Sequence, residues 1–200
     1  KQAQRMVEHL TNPKEFWTEY PVPVLSRDSL DYSPNGYWSG KAWPPINFFV
    51  LRGLLNYGFF DVADELIRRW IKHTQTCIDR PVQYYTIPEW QGQGPHDLRF
   101  AHMPDVKWVV PENWNPENGV VHADGGLAWG GLWLPAVIMR NFWPVGEHGA
   151  LLRAGGHFHL EWGKRWEVSV DEELVYVNGR SFRLSERTTY LLDDTTWKIS

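Results

Sequence analysis

Cys77 is the only cysteine among the 200 residues, so no disulfide can close within the chain. A lone thiol inside a helical pattern reads as a small buried apolar side chain rather than a reactive one. No apolar run comes near the ~18 residues that a membrane span needs. The densest stretch, Ile46 to Leu55, is interrupted by Asn47, Arg52 and Gly53. Basic clusters are also missing and the net charge is −4, which leaves no electrostatic footprint for a nucleic-acid backbone. The expectation is a soluble chain with neither membrane nor nucleic acid as partner. Its location stays open between cytoplasm and secretion, because the opening Lys-Gln-Ala-Gln-Arg has no initiator Met and no signal-peptide apolar region. Such a start implies processing or a piece of something longer. No repeat of fixed period runs through the sequence. What is abundant is aromatic: 13 Trp, 8 Tyr and 9 Phe. Trp is favoured where flat apolar faces meet ligands that also hydrogen-bond, and sugars are such ligands.

The length is that of one domain. Met6, Val7 and Leu10 have helical spacing, which Asn12-Pro13 ends. From Phe16 to Pro45 the chain is rich in Pro, Gly and aromatics and reads as a long ordered loop. Pro45 opens a helix through Ile46, Phe49, Val50, Gly53, Leu54 and Tyr57, stopped by Gly58; Asp61 caps a second along Val62, Ala63, Leu66, Ile67, Trp70, Ile71 and Thr74. Residues 80–125 read as a second long loop. Leu127 to Met139 resumes helical spacing, with Gly130 and Gly131 permitting close approach of another backbone. After Gly155-Gly156 the period changes to two, predicting strands over 157–162, 166–170, 174–177, 182–184 and 190–192, with Asn178-Gly179 as a type I′ hairpin turn. Helical hairpins joined by long aromatic loops suggest a helical toroid with a site at its rim.

The segment Pro111-Glu112-Asn113-Trp114-Asn115-Pro116-Glu117-Asn118-Gly119 is where chemistry is best placed. Glu112 between a Pro and polar residues, in an aromatic loop, suits a general base that activates water. The plainer reading of the same residues is a surface turn built from Asn and Pro.

Four segments occur in a telling order: Tyr37-Trp38-Ser39-Gly40-Lys41-Ala42-Trp43-Pro44-Pro45-Ile46-Asn47, Gly53-Leu54-Leu55-Asn56-Tyr57-Gly58, Glu112-Asn113-Trp114 and Gly126-Leu127-Ala128-Trp129-Gly130. With Asn12-Pro13 to Pro21-Val22-Pro23 ahead of them, they resemble the inverting glycoside hydrolases of the clan of trehalase, processing α-glucosidase I and the mannosylglycerate and glucosylglycerate hydrolases. The resemblance covers about residues 12–140. It implies a mainly α fold, the C-terminal portion of an (α/α)6 toroid of helical hairpins over residues 1–152, followed by a small antiparallel sheet over 153–200. It implies hydrolysis of an α-glucosidic or α-mannosidic bond with inversion and without a cofactor. The substrate would be an oligosaccharide or small glycoside.

By the same resemblance Glu112 matches the general base, and Trp38, Gly40, Trp43 and Asn47 match the loop lining the glycone subsite. Trp129 matches the aromatic after the base loop. Trp114 stands where a Tyr is usual, and Ala128-Trp129-Gly130-Gly131 lacks the usual Ser; both changes bear on substrate choice. Inversion needs two carboxyl groups ~6.5–9.5 Å apart, one acid and one base. In the resembling enzymes the acid is an Asp far upstream of the base. Asp28, Asp31, Asp97 and Asp105 do not sit in that acid's motif. The chain is therefore expected to be a part of such an enzyme, inactive by itself where the acid is missing, with exposed helix faces prone to self-association. The alternative is a non-catalytic carbohydrate-binding or structural fragment. His157 and His159 with Glu161 could bind a metal on a sheet face, but the carboxylate spacing and later His motif of a cupin are missing and no metal is expected; His96, His102 and His122 read as loop histidines, and Trp70 and Trp133 as core.

Overall fold

A computed structural model describes residues 1–79, 111–121, 128–155, 157–185 and 188–200. Among the described residues there are four α-helices: α1 (Gln2–Leu10), α2 (Pro44–Asn56), α3 (Phe60–Asp79) and α4 (Trp133–Asn141). Eight strands follow: β1 (Phe142–Val145), β2 (Gly149–Leu152), β3 (His157–Trp162), β4 (Trp166–Asp171), β5 (Leu174–Val177), β6 (Arg180–Arg183), β7 (Tyr190–Asp193) and β8 (Lys198–Ile199). The mainly α toroid is not what this chain builds. Among the described residues the helices are too few, and two four-stranded antiparallel sheets stand in place of one small sheet. The physical reason lies in the spacing of apolar residues. Among the described residues beyond the first ten, helical periodicity is confined to α2, α3 and the stretch around α4, and from Phe142 onward alternation, not a 3.6-residue period, places side chains on the core.

Contacts divide the chain into two units, residues 1–57 with 61–133, and residues 58–60 with 134–200. In the first, Pro44 starts α2 without losing a bond, since its missing N–H would be unpaired there anyway. Leu51, Leu54 and Leu55 of α2 and Ala63, Leu66, Ile67 and Trp70 of α3 are buried. The predicted helix over 127–139 starts instead as a 3-10 turn, Ala128–Leu132, where Gly130 and Gly131 weaken helical propensity, and continues as α4.

In the second unit the sheets are ordered β1-β2-β7-β8 and β3-β4-β5-β6. Phe142, Ala150, Leu152, Trp166, Val168, Val170, Val175, Val177 and Leu192, from both sheets, share one core. The β5–β6 turn has positive φ at Asn178 (49°) and Gly179 (76°), as a type I′ turn requires. Asn178 also accepts from the Glu167 amide (2.8 Å) and donates to the Arg165 carbonyl (2.9 Å), tying that turn to β4 and the turn before it.

Candidate active site

The long Pro-rich loop and the Glu112 segment meet through single backbone pairings. Pro23 bridges Ala42, Ala42 bridges Trp114, and Trp114 bridges Val121, so four stretches of chain lie side by side. Ala42 and Trp114 exchange both bonds, at 2.9 and 3.1 Å. This fixes Glu112, two residues before Trp114, relative to the Trp38–Trp43 loop. Glu112 is 3% exposed, and Asn113 and Asn115 are buried beside it in sequence. The segment then closes on itself. Asn115 Oδ1 accepts from the amides of Glu117 (2.8 Å) and Asn118 (3.3 Å), its own Nδ2 donates to Asn35 Oδ1 (2.8 Å), and Gly119 returns at φ 72° to donate to the Asn115 carbonyl (2.9 Å). Residues 115–119 thus form the turn of the plainer reading, exposed at Glu117 and Asn118, whereas Glu112 is buried.

The aromatic residues of the loop form a layered platform. Trp38 stacks on Trp43, with ring centroids 4.2 Å apart and planes 7° apart, and is 58% exposed. Trp43 is wholly buried, donates its indole N–H to the Tyr37 carbonyl (3.0 Å), and receives the edge of Tyr37 at 4.7 Å. Trp129 meets Trp43 at 6.1 Å and 64° and is 45% exposed. An indole face turned to solvent over a second indole suits stacking against the apolar face of a sugar ring. Gly40 is buried where a Cβ would lie 2.1 Å from the Ser33 carbonyl oxygen, so the loop can close only with glycine there.

Asn47, wholly buried on α2, donates both amide hydrogens to backbone, to the Pro21 carbonyl (3.1 Å) and the Trp43 carbonyl (3.0 Å). It fastens two parts of the loop to the helix. Trp114 is also wholly buried. Of the seven residues expected to form the base and the sugar subsite, Trp38 and Trp129 are exposed, while Glu112, Gly40, Trp43, Asn47 and Trp114 are buried. Sequence reasoning missed Tyr37, whose ring edges both Trp38 and Trp43, and Lys41, buried with its Nζ 5.4 Å over the Tyr37 ring.

The match to known proteins falls on this loop. Residues 1–93 match the family model described as the mannosylglycerate hydrolase MGH1-like glycoside hydrolase domain. A mannosylglycerate hydrolase of Rubrobacter radiotolerans is 41% identical over 69 residues, which are 33% of this chain and 16% of that protein. An uncharacterized protein of Borreliella burgdorferi is 28% identical over 113 residues, 54% of this chain and 23% of that one. The chain therefore spans only a minor part of the curated relatives it matches. A solved structure of an uncharacterized conserved protein from Thermus thermophilus aligns with 68% of this chain and 24% of that one at 21% identity and TM-score 0.35, too slight a likeness to argue from. Trp38, Gly40, Trp43 and Asn47 lie within the matched stretch; Glu112, Trp114 and Trp129 lie beyond it.

The remaining candidates separate cleanly. Asp28 and Asp31 are exposed, and Asp28 accepts from Ser26. Asp97, Asp105, His96, His102 and His122 lie outside the described residues. His157 pairs with Asp171 (2.9 Å) and His159 with Ser169 (2.8 Å) across β3 and β4, and among the described residues no group of three potential ligands could hold a metal ion. Trp70 is buried and Trp133 is half-buried. Cys77 is buried beside His73, and burial pushes its thiol up to about 12. No helix among the described residues is long and apolar enough to cross a membrane.

Proposed function

We propose that this chain supplies the general base and part of the sugar-binding surface of a glycoside hydrolase that cleaves an α-mannosidic or α-glucosidic bond with inversion. The observation that carries the reading is the Ala42–Trp114 pairing, which holds the Glu112 segment against the loop of the matched domain. In the proposed reaction the Glu112 carboxylate takes a proton from water as that water attacks the anomeric carbon. A separate carboxylic acid, ~6.5–9.5 Å from it, protonates the departing oxygen. None of the described carboxylates is assigned that second role. The exposed face of Trp38 receives the sugar ring, and Trp129 borders it. The similarity to a mannosylglycerate hydrolase favours a mannoside with a small acidic aglycone among the candidate substrates.

The test is Glu112→Gln in the full-length protein, assayed on a panel of α-mannosides and α-glucosides. Loss of at least about a hundredfold in kcat is expected of a missing general base, with a β-configured first product from the parent enzyme by NMR. Undiminished turnover by the variant refutes the base assignment, and an α-configured first product refutes inversion. A second reading, sugar binding without catalysis, is favoured by the accessibility of the Trp38 stack. It predicts saturable sugar binding abolished by Trp38→Ala and no turnover by the parent protein.

A further inference from the structure

His73 of α3 is 3% exposed, and its ring is held between two others, Tyr20 at 5.0 Å and 68° and Trp114 at 4.9 Å and 53°. Tyr20 is in turn locked to the stretch that follows Glu112. Its amide donates to the Pro116 carbonyl (3.1 Å), and its ring occupies the space at Gly119, where a Cβ would lie 2.7 Å from the ring. One helix residue thus braces residues 114–119 from two directions, directly through Trp114 and indirectly through Tyr20.

Two features separate this from ordinary core filling. An aliphatic side chain would fill an interior helix position without the cost of desolvating an imidazole. Burial holds His73 neutral, its pKa lowered to about 4, and among the described residues its ring nitrogens meet the weak partner Cys77 Sγ, at 3.6 and 3.8 Å. A ring with those surroundings is poorly equipped to shuttle protons near neutrality. What it offers is a rigid ring of fixed orientation, in T-shaped contact with Tyr20 and tilted contact with Trp114. Trp114 is therefore held twice, its backbone by Ala42 and its indole by His73.

We infer that His73 is a positioning residue, whose ring, packed between Tyr20 and Trp114, sets the orientation of the segment carrying Glu112. This rests on the assignment of Glu112 as the base. Displacing a reacting group by about 1 Å costs on the order of a hundredfold in rate. His73→Ala in the full-length protein should lower kcat roughly ten- to a hundredfold with KM within about twofold, the pattern of an interaction realised in the transition state. His73→Phe, which keeps a planar ring, should return kcat to within about threefold of the parent. Unchanged kcat in His73→Ala overturns the inference. So does a folded His73→Phe as slow as His73→Ala, which would mean that the imidazole itself takes part.

A readout that does not depend on turnover keeps the two claims apart. In protein labelled with 13C at glutamate carboxyls, the Glu112 signal is the one lost in Glu112→Gln. It should move in His73→Ala and return in His73→Phe. Should His73→Ala not fold, Tyr20→Leu removes the ring on the other side of the imidazole and should move the same signal. If the parent protein turns over no glycoside, the hydrolase reading fails while the carboxyl signal still decides the positioning role. A Glu112 signal unmoved by both substitutions overturns it.

Discussion

Replacing Gly40 by Ala adds one carbon, and the structure says where that carbon would go. It would lie 2.1 Å from the Ser33 carbonyl oxygen, 2.5 Å from the Ser33 carbonyl carbon and 3.0 Å from the Pro34 nitrogen. All three are backbone atoms, so no side-chain rotation relieves the clash. The loop must open, and opening it strains the bonds of Ser33 to Ser39 and of Gly36 to Ser33 and Lys41. Overpacking of this kind costs roughly 1–3 kcal/mol, and a backbone clash belongs at the upper end. For a chain of this size a loss of about 3 kcal/mol lowers the melting temperature by roughly 6–12 °C. Gly53 supplies the control. It lies inside α2, and a Cβ there meets nothing within 4 Å. Gly53→Ala should therefore raise stability by up to about 1 kcal/mol through helix propensity and the unfolded chain. Paired melts followed by circular dichroism, with tryptophan emission reporting the Trp38–Trp43 stack, measure both. A Gly40→Ala variant melting within a degree of the parent, or above it, would refute the steric argument.

Other perturbations test other parts of the molecule. His73 has a folded pKa of about 4, below the ordinary value of 6.5, so its neutral burial contributes stability that is complete above about pH 6.5 and lost as pH falls toward 4. The loss amounts to about 3 kcal/mol, and His73→Phe should flatten the melting profile between pH 4 and 6.5; an unchanged slope would contradict it. Asn178→Ala removes two hydrogen bonds and puts at φ 49° a residue that tolerates the left-handed region less well than Asn, for a cost of about 2 kcal/mol read by denaturant unfolding. The Cys77 thiol, pushed up to about 12 by burial, should resist a thiol reagent at pH 8 in the folded protein and react at once in denaturant.

Local signals were the most legible part of the sequence. Pro44 and Pro45 before an apolar 3.6-residue pattern revealed α2, and alternation with Asn178-Gly179 revealed the β3 to β6 meander, because both depend on neighbours a few residues apart. Phe142–Val145 and Gly149–Leu152 were hidden. Four-residue strands bearing Pro144 and Gly149 have too little alternation to betray a period. The toroid was an extrapolation from the hairpin-like spacing of α2 and α3 together with the family resemblance, and two helices with apolar stripes do not specify a closed ring of hairpins. At the candidate site, the motif order pointed to Glu112, Trp38 and Trp43, but the arrangement of one behind another was not readable. That Trp43 and Trp114 lie inside while Trp38 and Trp129 face solvent is decided by pairing between distant segments. His73 escaped for the same reason, since its significance comes from Tyr20 and Trp114 rather than from its own helix.

The Ala42–Trp114 pairing also has a kinetic side. Its partners are about 70 residues apart, and closing a loop of that length costs on the order of 4 kcal/mol in chain entropy before any contact is gained. The β3 to β6 meander, by contrast, closes turns of a few residues and can form early. During folding the Glu112 segment is thus among the last parts to reach its place. During partial opening it is among the first to leave, carrying Glu112 away from the Trp38–Trp43 stack while helices and meander stay intact. The amides of Ala42 and Trp114 would then exchange with solvent through sub-global opening, ahead of those in β4 and β5.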